Sequence, residues 1–380
     1  MSKVSVLVAA YNAESYIHEC IDSLLTQTMS DIEVICIDDA STDSTPAILD
    51  QYASADSRVV VRHLKKNVGQ ARARNIALAM SDGAYVCMLD SDDWFSPDAL
   101  QAAADVLDHH TETDSVLFQV DEVYADHVRR YPLPSFESIS GTQAFEYSLD
   151  WRVHGLYMIR GDLHRRLPYD DSSRAYSDDN TTRMHYLKSR EVRQCEGVYH
   201  YRQHDSSVTH QVSVARFDYL KANESMLRQM KDAGVSAHLL DEYENIRWLN
   251  LIDTYLFYYK YHHQLSPSDK EYGMGEMHRI WKSIDTGRLK RGVKMKFGYW
   301  PLRPFWWLFR VQEQFYFTLR ALVGRIEPLF SFRCKINCAN LRRVAVFFLS
   351  LPLRGEDSLS RQKNELVHFV LCSTLRIFAI

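Results

Sequence analysis

The sequence predicts an α/β protein with a mostly parallel central sheet, followed by an α-helical C-terminal region. Three observations carry this. Across residues 3–97, short β-branched runs alternate with segments of helical spacing, as in strand–helix–strand units whose sheet is covered on both faces. Two of those runs end in clustered carboxylates, Asp38-Asp39 and Asp90-Ser91-Asp92-Asp93. From Ala215 onward the alternation stops and the spacing becomes helical.

The elements follow in order. Val4 to Ala10 is a first strand, and Glu14 to Thr28 a helix with Tyr16, Ile17, Cys20, Ile21, Leu24 and Leu25 on one face. Ile32 to Ile37 is a second strand. Ser41-Thr42-Asp43-Ser44-Thr45-Pro46 then carries capping side chains and an early proline, the signal of a helix start. Val59 to Leu64 is a third strand, Gln70 to Met80 a helix, and Ala84 to Leu89 a strand running into Asp90. Farther on, helices are expected over Phe217 to Lys231 and Leu239 to His263, with Ser266-Pro267-Ser268 between segments.

Three carboxylates closing a buried strand are costly unless a cation or several donors compensate them. In an open α/β sheet that end of a strand is also where ligands bind. Oxygen ligands in a D-x-D spacing suit magnesium or manganese, which keep positions open for substrate phosphates. Alone, the motif reads equally as a solvated acidic turn. A dinucleotide-binding domain is excluded by Ala9-Ala10-Tyr11-Asn12-Ala13-Glu14, which has no glycine where a pyrophosphate must approach. A calcium loop is excluded by Trp94 and Phe95 at its next ligand and turn positions.

Taken together, these segments resemble the nucleotide-sugar-binding half of a family 2 glycosyltransferase, an inverting class with the glycosyltransferase A-type fold that builds cell-surface polysaccharides. The resemblance rests on Val4-Ser5-Val6 with Tyr11-Asn12-Ala13-Glu14, Ser23 to Thr28, Ile37 to Asp43, Asn67-Val68-Gly69 with Ala73-Arg74-Asn75, Gly83-Ala84-Tyr85, and Leu89 to Trp94 with Pro97. Two departures are Ala10, where a proline is usual, and Ala77, where a glycine is. The resemblance implies donor binding by Ala9, Tyr11, Asp39, Arg74, Asp90 and Arg202. Tyr11 would lie against the base, and Asp39 would accept a base N–H, which favours uracil. A divalent metal, Mn2+ or Mg2+, would be held by Asp92, with Asp90 and His204 completing its surroundings. Asp38, Asp39 and Arg74 have structural alternatives as turn caps and a helix-surface cation, and Asp93 could serve only to support the turn.

An inverting transfer needs a base for the acceptor hydroxyl. The acid pair in Tyr176-Ser177-Asp178-Asp179-Asn180 resembles the one that opens a helix in the family's acceptor half, which implies Asp179 as the catalytic base and Asp178 as the fallback. Helix capping is the plainer reading of both. Val198 to Thr209 resembles the closing segment near the diphosphate, with Arg202 pairing with phosphate and His204 near the metal. Trp151 to Gly161 is expected under the acceptor.

These readings divide the chain into a catalytic domain at 1–212 (nucleotide-sugar half 1–97, acceptor half 98–212), a helical extension at 213–281 and a basic, aromatic-rich helical tail at 282–380. The tail holds 18 Lys and Arg against 6 Asp and Glu, a balance of +12; with −4 overall, residues 1–281 carry −16. Tryptophan and phenylalanine mixed with this basic charge suit peripheral contact with an anionic membrane. A helical subdomain or an oligomer contact is the alternative. The tail's apolar runs fall short of the roughly twenty residues a spanning helix needs. No reader module organises the charge for nucleic acid, so none is expected. Glu244-Asn245-Ile246-Arg247-Trp248 resembles the Q-x-x-R-W signature of processive sugar polymerases but lacks neighbouring spans, and an ordinary helix face is expected. Seven scattered cysteines and Met1-Ser2-Lys3 running straight into a strand point to a reducing cytoplasm without a cleavable leader.

The expected activity is metal-dependent transfer from a nucleotide-sugar to a saccharide acceptor, lipid-linked, at the inner face of the cell membrane. Transfer to a polyprenyl phosphate, or a non-catalytic sugar-nucleotide- or glycan-binding scaffold, remains as the alternative.

Overall fold

A computed structural model describes residues 3–173, 178–203 and 212–322. The chain forms two compact units, Met1–Lys290 and Arg291 onward.

In the first unit, strands β1 (Val4–Ala10), β2 (Ile32–Asp38), β3 (Val59–His63) and β4 (Tyr85–Met88) alternate with helices α1 (Ile17–Leu25), α2 (Thr45–Ala55) and α3 (Gln70–Met80). There follow β5 (Trp94–Phe95), α4 (Ala99–His109), β6 (Thr113–Val123), β7 (Val128–Arg130), β8 (Ser138–Ser140), α5 (Gly141–Leu149), β9 (Tyr157–Arg160), α6 (Gly161–Arg166), α7 (Asp178–Lys188) and β10 (Glu191–Arg202). The sheet runs β3-β2-β1-β4-β9-β6-β10-β5, with β7 beside β6 and β8 beside β10. Pairs β1–β2, β2–β3, β1–β4 and β6–β10 are parallel, and β9 enters antiparallel to both its neighbours.

Period-two alternation explains the layering. Val4, Val6 and Val8 face one core with Ile17, Ile21 and Leu24 of α1 and Leu100 and Leu107 of α4. Leu7 faces the other, with Ala73 and Ala77 of α3, Phe145 of α5 and Tyr186 of α7. A sheet buried on both sides puts its polar work at the strand ends, which is where the carboxylates lie.

The expected first helix is shorter in the structure. Residues 12–14 are instead drawn to the start of α2: Asn12 has φ 51°, and the amides of Ala13 and Glu14 donate to Thr45 Oγ1 (2.8 Å) and Asp43 Oδ2 (3.1 Å). At α2 itself Ser44 makes no side-chain cap; Asp43 Oδ1 accepts from the Thr45 amide at 3.0 Å.

Helices α8 (Asp218–Asp232), α9 (Ala237–Tyr261) and α10 (Pro267–Ser283) belong to the same unit as the sheet. Ser236 and Ser266 cap α9 and α10, the latter with a proline at its start. Asn180 of α7 donates to the Ala222 carbonyl at 2.8 Å, and Gln229 of α8 to Asp170 at 2.9 Å. The segment 244–248 lies inside this packing, with a buried Glu244–Arg247 pair at 2.7 Å and Trp248 fully covered.

In the second unit, α11 (Arg291–Lys294) precedes α12 (Trp306–Leu322), which buries Phe309 and Phe317. Among the described residues no helix is long and apolar enough to cross a membrane.

Candidate active site

The site is built from strand ends. Ala9 lies in β1 opposite Ile37 of β2, and Tyr11 follows the strand as an exposed ring. Asn12 and Ala40 (φ 61°) both adopt left-handed backbone just past their strands, a conformation tolerated where surrounding contacts enforce it. The Asn12 side chain supplies one such contact, accepting from the Thr42 amide at 2.8 Å. Asp38 is buried and caps the turn, accepting from the Ser41 amide at 2.9 Å and facing His63 Nδ1 at 2.9 Å. Asp39 instead serves α3, where its two oxygens accept from the amides of Val68 (2.7 Å) and Gly69 (2.8 Å) at the helix start. Gly69 has φ 89°, which a side chain would disfavour. A carboxylate oxygen has two lone pairs, so Asp39 retains acceptor capacity for a base N–H.

Arg74 is the centre of the arrangement. Buried on α3, it donates to Asp90 Oδ1 and lies 3.5 Å from Asp178 Oδ2, with its guanidinium 5.5 Å from the Tyr169 ring centre. Its Nε has no hydrogen-bond partner among the described residues. Gln70, one turn earlier, donates to the same Asp90 oxygen at 3.0 Å. Burial raises the Asp90 carboxyl; Arg74 opposes that rise, and Asp92 and Asp178 add to it. The structure thus brings Arg74, Asp90 and Asp178 into one network from three separate elements.

Asp93 supports the turn. It is buried and accepts from Tyr199 Oη (2.7 Å) and the Arg202 amide (2.8 Å), while the Asp90 amide donates back to Tyr199 Oη at 3.2 Å. Burial, with Asp90 and Asp92 adding, holds its carboxyl well above the usual range. This ties the D-x-D turn to β10.

Arg202, expected to pair with phosphate, is engaged by protein groups. Its Nε donates to the Asp92 carbonyl at 2.8 Å, its Nη2 pairs with Glu19 of α1, and its guanidinium lies 4.5 Å from the Trp94 ring centre and 5.1 Å from that of Tyr16. A phosphate would have to compete with Glu19 for it. His204 lies outside the described residues.

Among the described residues no three His, Cys, Asp or Glu side chains gather to hold a metal ion. A magnesium-type ion needs only one or two carboxylates when substrate phosphates supply further oxygens. Asp92, partly exposed on the turn that Asp93 anchors, fits that need, with Asp90 beside it.

The acid pair opens α7, whose first turn holds both carboxylates. They diverge in surroundings. Asp178 approaches Arg74. Asp179 is pushed up to about 7 by loss of hydration, opposed by Arg183 and reinforced by Asp178. Arg183 lies 5.4 Å from the ring centre of Trp151, which itself holds φ 60°. Sequence reasoning missed Gln70, Tyr169, Glu19 and Arg183. Gln70 was within reach of it, because a residue four before Arg74 shares its helix face; the others come from distant segments.

Residues 5–165 match the family described as Glycosyl transferase family 2. Uncharacterized glycosyltransferase EpsJ of Bacillus subtilis (strain 168) is 31% identical over 220 residues, covering 54% of this chain and 62% of its own. Putative teichuronic acid biosynthesis glycosyltransferase TuaG of the same organism is 46% identical over 98 residues, 26% of this chain and 39% of its own. The chain therefore spans less than two thirds of either curated relative. The crystal structure of S. aureus TarS 1-349 in complex with UDP-GlcNAc is similar with a TM-score of 0.62 at 18% identity, covering 85% of this chain and 92% of that one. That likeness, with the order of strands described above, makes the fold the Rossmann-like glycosyltransferase A type. Through residues 5–165 the chain is similar to glycosyl transferase family 2.

Proposed function

We propose that the protein is an inverting glycosyltransferase that transfers a sugar from a UDP-sugar to a lipid-linked saccharide during cell-surface polysaccharide synthesis, at the cytoplasmic face of a membrane that its C-terminal tail contacts. The observation that carries this is the meeting at Arg74 of Asp90, from the donor motif, with Asp178, from the acid pair. Both halves of a transfer site are thereby held in register. The choice of uridine is supported by Asp39 and by the UDP-GlcNAc bound to the TarS neighbour.

In this reading Tyr11 and Asp39 hold the base, and Asp92 with Asp90 faces the diphosphate. Asp179 takes the proton of the acceptor hydroxyl as that oxygen attacks the anomeric carbon. The bond to the diphosphate breaks on the opposite face, and the configuration inverts. A carboxyl near 7 is matched to accept a proton at neutral pH. A divalent ion, when bound, supplies positive charge to the departing diphosphate.

The test is a screen of nucleotide-sugars for hydrolysis and transfer, with and without manganese. A UDP-sugar should be consumed in a manganese-dependent way, and Asp92→Asn should abolish metal-dependent nucleotide binding while leaving the fold intact. Wild-type-like turnover by that variant would remove the metal assignment. Binding of a UDP-sugar with no turnover on any saccharide would make the protein a scaffold instead.

A further inference from the structure

Helix α12 is amphipathic in the wrong sense for a helix that ends at its own core. One face buries Phe309, Gln312, Glu313 and Phe317. The opposite face presents Trp307, Val311 and Phe315 at successive turns, 61%, 57% and 46% exposed, with Phe305 beside Trp307 at 54% and a ring-centre separation of 6.2 Å. Single exposed apolar residues are ordinary; a stripe repeating every four residues along one helix face marks a surface that something covers.

Charge says what kind of partner fits. Residues 291–322 hold six Lys or Arg (Arg291, Lys294, Lys296, Arg303, Arg310 and Arg320) against one acid, Glu313. Glu313 is fully buried, where burial also raises its carboxyl above the usual range, so it puts no carboxylate on the surface. Arg303, three residues ahead of the helix, and Arg310, one residue before Val311, are exposed. The described surface of this unit is therefore cationic around an aromatic stripe. That combination matches the headgroup region of an anionic bilayer, where aromatic rings settle at the boundary and basic side chains meet lipid phosphates.

We infer that the Trp307–Val311–Phe315 face of α12 is the surface that seats the protein on an anionic lipid leaflet, with Arg303 and Arg310 reaching the headgroups. This rests on the membrane contact proposed above and assigns it to one face. Salt weakens the cationic contribution and leaves the aromatic one.

The test uses the full chain with phosphatidylglycerol and phosphatidylcholine vesicles, read by co-sedimentation at low and high salt. Wild type should bind the anionic vesicles and not the neutral ones. The triple variant Trp307→Ser, Val311→Ser, Phe315→Ser should lose about 100-fold in affinity, as expected when three exposed apolar side chains no longer enter lipid. The pair Arg303→Glu, Arg310→Glu should lose the salt-sensitive part. Both variants should keep the wild-type circular dichroism and turnover on a short soluble acceptor. Unchanged vesicle binding by both variants overturns this face while the membrane reading stands. A wild-type chain that ignores anionic vesicles at low salt overturns the membrane reading itself. A fall in solution mass of the triple variant, with vesicle binding intact, makes the stripe a contact between copies instead.

Discussion

At the scale of single residues, the site is organised by a buried cation. Arg74 faces two carboxylates from different elements, so its removal leaves like charges close together without their counterion. Arg74→Ala should cost about 3 kcal/mol in unfolding free energy, the low end for breaking a buried pair, because Asp90 and Asp178 keep part of their hydration. Chemical denaturation measures it, and a loss within error would show that Arg74 is not clamped in solution. Asp179 has a separate, kinetic signature. A base must be unprotonated to act, so kcat/KM should rise with pH and level off above about 7, the position to which burial lifts this carboxyl. Asp179→Asn should lower transfer by roughly 10²–10⁴-fold with little change in donor affinity. If Asp178→Asn is instead the more damaging change, the two acids exchange roles.

At the scale of elements, the strands were legible because β-branched runs reveal themselves locally. Val4–Ala10 occupies the stretch expected of it, as does Gln70–Met80 among the helices. Helix ends were less legible. The shortening of α1 depends on Thr45 and Asp43 capturing the amides of residues 13 and 14, a contact between segments thirty or so residues apart. The site divides the same way. The D-x-D turn stands out in the bare sequence, whereas the engagement of Arg202 by Glu19 needs β10 brought beside α1. The segment 244–248 is the sharpest case. Its resemblance to a polymerase signature is sequence-deep, while the structure gives Glu244 and Arg247 to each other inside α9 and joins them to Ser283 (2.8 Å) and the Asp285 amide (2.5 Å). Arg247→Ala should therefore act on stability, by about 3–5 kcal/mol, through the buried Glu244 it strands. Calorimetry on the variant, with donor binding measured below its melting point, separates this from an effect on the site, since binding should be unchanged there.

At the scale of the whole molecule, the question is where the catalytic body ends. Motifs stop near Thr209, which suggests a unit closing at 212. Packing extends farther. Asn180, the residue after Asp179, hands its amide to the Ala222 carbonyl, Gln229 reaches Asp170, and Met226, Met230 and Tyr243 share a core with Phe145 and Tyr186. The acid pair therefore stands on a helix whose far side is covered by the helical extension. A fragment ending at 212 would uncover those apolar side chains and leave Asn180 with one fewer acceptor, whereas a fragment ending at 290 keeps the whole first unit. Residues 1–290 should unfold in one cooperative transition and retain turnover on a soluble acceptor. Residues 1–212 should lack a cooperative transition, bind a hydrophobic dye and show no transfer. Thermal melts with dye binding on the two fragments read this directly. A cooperative, active 1–212 fragment would mean that the extension covers the catalytic body without being needed to form it.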